Sequence, residues 1–207
     1  MISVFYTYYG QKHMIPIIQA AGVKATIIDD CSPEPLGPQE GLDVYRILTD
    51  IKWNIPGAKN LGFEVLDGWI LHLPIDHIID KETYDQLCQM EKKEDEVYFL
   101  GSHYQGEPEK PENSPHDMVL IHKSAYNKIG GYDEDFAGEY GFEDGLFWKM
   151  CQNNFKAIDR FDIRIEWFPK GGTEKLVRDS TKNYVLYKHK NRYQNTTPRL
   201  RFRWRKE

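Results

Sequence analysis

Ile2-Ser3-Val4-Phe5-Tyr6-Thr7-Tyr8 and, further on, Ala25-Thr26-Ile27-Ile28-Asp29-Asp30 are the two runs whose reading decides the fold. Both are rich in β-branched and aromatic residues, as strands are. Residues 11–21 between them read as a helix, so the chain opens with a β-α-β unit. Outward from it, residues 43–49 read as a third strand and residues 57–66 as a helix. Trp69-Ile70-Leu71-His72-Leu73 reads as a fourth strand stopped by Pro74. A helix over residues 81–92 and a strand over 96–101 follow. Next come a buried strand at Met118-Val119-Leu120-Ile121, a short helix over 123–129 and a turn at Gly130-Gly131-Tyr132-Asp133. A helix over residues 142–153 carries Glu143 and Asp144 in its first turn. Strands alternating with helices predict an α/β fold with a mainly parallel central sheet, whose ligands bind at the carboxyl ends of the strands. Asp29-Asp30 and Asp76-His77 stand at two such ends.

The composition bounds the function. The chain has 207 residues, 40% of them hydrophobic, which suits one packed core and no second enzyme domain. It has no apolar run of the roughly 18 residues that a membrane span needs. The first residues have neither the basic start nor the small-residue cleavage site of a secretory signal, so a cytoplasmic protein is expected. Three cysteines, Cys31, Cys88 and Cys151, without a CxxC pair or a Cys/His cluster argue against a disulfide framework or a structural zinc site. The net charge of −5 hides an asymmetry: residues 175–207 hold 11 Lys and Arg against 2 Asp and Glu, residues 1–174 hold 16 against 30. The acidic balance speaks against nucleic-acid binding. The alternating Arg199-Leu200-Arg201-Phe202-Arg203-Trp204-Arg205 reads either as a contact for an anion or as a charged edge strand. The polar, proline-containing residues 105–115 read as a mobile loop, either a lid or a tolerated insertion.

Several chemistries lose their main support: no GxGxxG follows the first strand, and neither GxxxxGK[ST] nor GxSxG occurs. What remains is a set of carboxylates at strand ends and an acidic pair opening a helix. Acids in a first turn are favoured by the helix dipole. In Gly138-Glu139-Tyr140-Gly141-Phe142-Glu143-Asp144, glycines free the backbone around that start, which also suits a carboxylate that must face a substrate. Capping and catalysis can coexist there.

Four segments, in order, resemble the GT-A fold, the nucleotide-diphospho-sugar transferase superfamily, and above all its family-2-like glycosyltransferases. The likeness runs from Ile2 to about Phe161. Ile2 to Tyr9 is similar to the family's opening strand, which implies that Thr7 and Tyr9 contact the nucleotide base. Ile27-Ile28-Asp29-Asp30-Cys31-Ser32 resembles its "DDxS" strand end, which implies that Asp30, with Asp29 alongside, binds the base; a carboxylate accepting an N–H suits uracil. Gly57-Ala58-Lys59-Asn60-Leu61-Gly62 resembles its "GxxxARNxG" helix, placing Lys59 and Asn60 near the diphosphate. Ile129-Gly130-Gly131-Tyr132-Asp133-Glu134-Asp135-Phe136 with Tyr140-Gly141-Phe142-Glu143-Asp144 resembles its "GGxDExF…GxEDxD" block. That block implies Asp144 as the general base, Glu143 positioning the acceptor or the base, and inversion at the anomeric carbon. Tyr132 and Asp133 are the acceptor-binding candidates.

The resemblance therefore implies a hexosyltransferase-type enzyme moving a sugar from a nucleotide-diphosphate donor, a UDP-sugar, to a glycan or other hydroxyl acceptor. A catalytically silent nucleotide-sugar-binding protein and a sugar-phosphate nucleotidyltransferase are the alternatives. Where the family has Asp-x-Asp, holding Mn2+ or Mg2+ on the diphosphate, this chain has Pro74-Ile75-Asp76. The metal is thereby put in doubt, with Asp76 and His189 its candidate ligands. Otherwise Lys59 and the tail residues Lys188, Arg192 and Arg199 are expected to neutralise the diphosphate. Residues 1–174 are expected to form the catalytic domain and 175–207 a basic extension packed on it. A partner or second subunit, as in a homo-oligomer, is expected to complete the acceptor site.

Overall fold

In the computed structural model, which describes residues 1–104, 111–112, 117–168, 177–193 and 199–207, the first strand, β1 (Ile2–Tyr8), lies inside a ten-stranded sheet. Parallel to it on one side run β2 (Ala25–Asp29) and then β3 (Leu42–Ile47), and on the other β4 (Trp69–Pro74). Beyond β4 the sheet turns mixed. β8 (Val119–His122) is antiparallel to β4 and to β6 (Glu96–Tyr104), whereas β9 (Lys156–Trp167) is parallel to β6. The short β5 (His77–Ile78) and β7 (Pro111–Glu112) pair antiparallel with β9 and β6. The expected parallel sheet is thus its β3-β2-β1-β4 half. The looked-for mobile loop at 105–115 lies, apart from Pro111 and Glu112, outside the described residues.

In the parallel half β1, β2 and β4 are largely buried on both faces, which is why their sequences read as near-continuous rather than alternating apolar residues. In β1, Ile2, Val4, Tyr6 and Tyr8 enter one core and Phe5 the other. The first core is closed by α1 (Ile15–Ala20) and α3 (Lys81–Gln89). The second is closed by α2 (Ile55–Val65), α4 (Lys123–Lys128) and α5 (Glu143–Asn154).

Two helices are shorter than the sequence suggests. Pro16 in the first turn of α1 leaves Lys12–Met14 as a separate 3-10 turn. α3 stops at Gln89 because the Lys92 ammonium folds back onto the carbonyls of Leu87 at 2.7 Å, Cys88 at 3.2 Å and Met90 at 2.7 Å. Those end-of-helix acceptors need a donor.

The basic tail forms α6 (Thr181–Tyr193) and then β10 (Trp204–Lys206), which pairs antiparallel with β3 as the outermost strand. Its residues are exposed, so this end of the tail is the charged edge strand of the two readings. Just before it, Phe202 is buried against α2, over Gly57. Among the described residues no helix is long and apolar enough to cross a membrane.

The glycines of α2 set its distance from the sheet. A methyl group on Gly62 would overlap the ring of Phe5 in β1. Gly62→Ala is therefore expected to cost about 1–3 kcal/mol by overpacking, read as a lower urea midpoint with an unchanged slope.

Candidate active site

A cavity of about 650 Å³ opens over the carboxyl ends of β1, β2 and β4 and is closed by the start of α5 and by residues 177–180. Of the residues expected to hold a donor, Thr7, Tyr9, Asp30 and Lys59 line it, as do Glu143, Asp144 and Asp76. Asp30 is buried, accepts a 3.1 Å hydrogen bond from the Asn54 amide, and is pushed up to about 7 by burial, against the pull of that bond.

Asp29, expected beside it, is directed elsewhere. It is fully buried outside the cavity lining, its Oδ1 accepting from Ser32 N at 2.9 Å and Ser32 Oγ at 2.6 Å, its Oδ2 from Leu36 N at 3.2 Å and from Arg46. These bonds fold the turn after β2, and of the two neighbouring aspartates Asp30 is the one that lines the cavity.

At the other wall, Asp144 is ion-paired with Lys59, whose side chain is 2% exposed against 26% for Asp144. Burial by itself would discharge this lysine, but Asp144, Glu143 and Asp117 outweigh it and raise its pKa. Glu143 is pushed up to about 7, first by burial and then by the neighbouring Asp144 charge, against the pull of Lys59. The pair on α5 therefore holds one carboxylate bound to an ammonium and one carboxyl that is about half protonated at pH 7.

The start of α5 is held by features that the sequence does not announce. Its N-cap, Phe142, is left-handed with φ 72°, a costly conformation for a side-chain-bearing residue that its surroundings must impose. The buried Asn183 of α6 supplies the constraint. Its amide nitrogen lies 3.0 Å from the carbonyl oxygen of Phe136, 2.9 Å from that of Glu139 and 2.9 Å from that of Gly141, donating to the loop just ahead of α5. Gly138 N donates to Lys52 O at 2.7 Å, and Trp53 packs on Tyr140 with ring centres 4.9 Å apart.

The glycine-rich block before this loop is structural. Asn60 is buried off the cavity, donating to Tyr132 O at 3.0 Å and Glu134 Oε1 at 2.7 Å, and accepting from Tyr132 N at 3.0 Å and from the Tyr126 hydroxyl. Tyr132 is 1% exposed and stacks on Phe147 at 4.1 Å. Asp133 accepts from Asp135 N at 3.0 Å and from the buried Lys190 ammonium at 2.6 Å. Asn60, expected at a diphosphate, and Tyr132 and Asp133, expected at an acceptor, lie outside the cavity lining, where all three brace the turn beneath the site.

Part of the tail's charge goes to the same place. Lys190 also pairs with Asp135, Arg201 meets Asp135 at 2.7 Å, and Glu134 accepts from Leu200 N at 2.7 Å and Arg201 N at 3.1 Å. Lys188 lies over the Tyr184 ring, and Arg199 over that of Tyr126. Neither lines the cavity, and the Arg192 side chain lies outside the described residues. Among the described tail residues the basic side chain that reaches the cavity is Arg178.

For a divalent cation the donor set does not fit. Asp76 does line the cavity, but its Oδ1 accepts from His77 Nδ1 at 3.0 Å and its Oδ2 from the Trp167 indole at 3.2 Å. Pro74 brings no carboxylate, and the exposed His189 is outside the lining. No group of three or more potential ligands is assembled among the described residues, whereas hard cations want several oxygens.

No protein-family model matches the sequence, and no curated protein matches it. Solved structures do. TarS from S. aureus, residues 1–349 in complex with UDP-GlcNAc, superposes with a TM-score of 0.73 at 14% identity, covering 93% of this chain and 66% of that one. The catalytic domain of Drosophila β1,4-galactosyltransferase 7, in complex with xylobiose, gives 0.60 at 12% identity, covering 96% and 82%. The mannosyltransferase PcManGT from Pyrobaculum calidifontis, in complex with GDP-Man and Mn2+, gives 0.59 at 11%, covering 83% and 58%. The chain has the GT-A fold. It spans just under two thirds of the length of the TarS fragment.

Two GT-A cavity residues had no motif to mark them. His72, mid-strand in β4, is fully buried; its Nδ1 donates to Asp117 O at 2.6 Å, and its Nε2 faces Thr7 Oγ1 at 3.4 Å. Burial, followed by the Lys59 charge, holds it well below the usual range and hence neutral. Asp117, just ahead of β8, is the second.

A carboxyl raised on folding binds its proton more tightly folded than unfolded, so its contribution to stability is present at low pH and lost as pH rises through the folded value. For Asp30, raised to about 7, the window runs from about 4 to 7. Asp30→Asn should consequently stabilise more at pH 8 than at pH 5, measured as the shift in urea midpoint relative to wild type at each pH.

Proposed function

We propose that this chain is a hexosyltransferase-type glycosyltransferase that moves a sugar from a nucleotide diphosphate, a UDP-sugar, to a hydroxyl of a glycan or other acceptor, with inversion. The observation that carries the reading is the pairing of Asp144 with Lys59 at one wall of a cavity whose other wall holds Thr7, Tyr9 and Asp30. It is supported by a fold shared with proteins crystallised with UDP-GlcNAc and GDP-Man.

In this reading the ionised Asp30 accepts an N–H of the base, and the diphosphate lies over the end of β4. Asp144 takes the proton of the acceptor hydroxyl as its oxygen attacks the anomeric carbon. The bond from that carbon to the diphosphate oxygen breaks, and its electron pair leaves with the nucleotide. Glu143, pushed up to about 7 and so about half protonated at pH 7, donates in its protonated form a hydrogen bond to the substrates from beside the base. Charge developing on the leaving diphosphate is met by the cations that line the cavity, Lys52, Lys59 and Arg178. A silent nucleotide-sugar-binding protein is the second reading, favoured by Pro74 in place of a carboxylate.

Turnover of a UDP-sugar panel with and without MnCl2 tests both. The wild type is expected to turn over at least one donor. Asp144→Asn should retain donor affinity and lose about 10²–10⁴-fold in rate, measured by nucleotide release. Binding without turnover in the wild type would establish the second reading.

A further inference from the structure

Asp117 has no task in this mechanism, yet its situation is unusual. It lines the cavity, and its Oδ1 is buried without a hydrogen-bond partner. Its backbone carbonyl is occupied by His72, which fixes the residue in place from β4. Burial and the Asp144 charge push the carboxyl up to about 6, against the pull of Lys59 and His77, so at neutral pH it is mainly ionised. An ionised carboxylate can only accept hydrogen bonds, and a buried oxygen left without a donor is costly. Among the described residues no donor comes to Oδ1.

The electrostatic neighbours of Asp117 form two groups: Asp144 and Lys59 at the base end, and Asp76 and His77 at the carboxyl end of β4. In a glycosyl transfer the moving sugar lies between the group that deprotonates the acceptor and the leaving diphosphate. Sugars present what this carboxylate lacks, an array of O–H donors. We infer that Asp117 accepts hydrogen bonds from ring hydroxyls of the donor's sugar, and so selects the sugar rather than the nucleotide. The inference rests on the glycosyl-transfer reading and adds a specificity-determining residue to it.

Calorimetric titration of UDP and of the UDP-sugar panel into wild type, Asp117→Asn and Asp117→Ala, with and without MnCl2, tests it. Affinity for UDP should stay within about twofold in all three. Affinity for the preferred sugar nucleotide should fall about ten- to a hundredfold in Asp117→Ala, the range of a hydrogen bond to a charged group. Asp117→Asn, which keeps an acceptor oxygen, should fall between. Equal weakening of UDP and UDP-sugar, a loss seen only with Mn2+, or no change in either would overturn the inference while leaving the transfer reading intact. A wild type that binds no nucleotide in either buffer would overturn both.

Discussion

One buried amide holds the two halves of this molecule in register. Asn60, on the helix that packs against the first strand, engages the backbone on both sides of Tyr132, the carboxylate of Glu134 and the hydroxyl of Tyr126. Each partner lies on the far side of the chain in sequence and within the same core in space. Removing this amide would leave buried donors and acceptors unmet, each at a cost of about 1–3 kcal/mol. Lys59, next to it, reaches the cavity from the same helix. The ion pair with Asp144 is therefore positioned by a residue that never touches the cavity.

The segment richest in cations serves mainly to neutralise the protein's own acids. Asp133, Glu134 and Asp135 gather beneath the cavity, and Lys190, Arg201 and the amides of Leu200 and Arg201 come back to meet them. Of these the Lys190–Asp133 pair is buried; such a pair adds little net stability when complete and costs about 3–5 kcal/mol when one partner is lost. Their role is placement. With the turn and the tail locked together, α6 can present Asn183 to the loop before α5.

The strands and their order along the chain were legible because burial on both faces writes continuous apolar runs, as in Val4-Phe5-Tyr6 and Ala25-Thr26-Ile27-Ile28. β9 was overlooked although Ile163 and Ile165 alternate with polar neighbours. α6 had no such pattern, since the residues it buries, among those whose side chains are described, are Asn183 and Lys190, and polar anchors leave no periodic apolar signal. At the site, motif position led to Asp144, Lys59 and Asp30. The same reasoning marked Asn60, Asp133 and Asp29, which here bond to the protein's own backbone and side chains; a motif records that a residue type is required and not whether substrate or backbone requires it. Asp117 and His72 carry no local signature. What distinguishes them is the pairing of β4 with β8, which brings together positions far apart in sequence.

The tail's last turns have a consequence in time. The clasp on Glu134 comes from residues 200 and 201, and the strand that covers the sheet edge from Trp204–Lys206. A chain growing from its amino terminus thus completes both cores' strands well before it can finish the floor of its cavity. Until those residues arrive, the acids of the 133–135 turn lack their counter-charges and β3 stands as an open edge. The cavity's support is therefore complete only once residues 200–206 have been made.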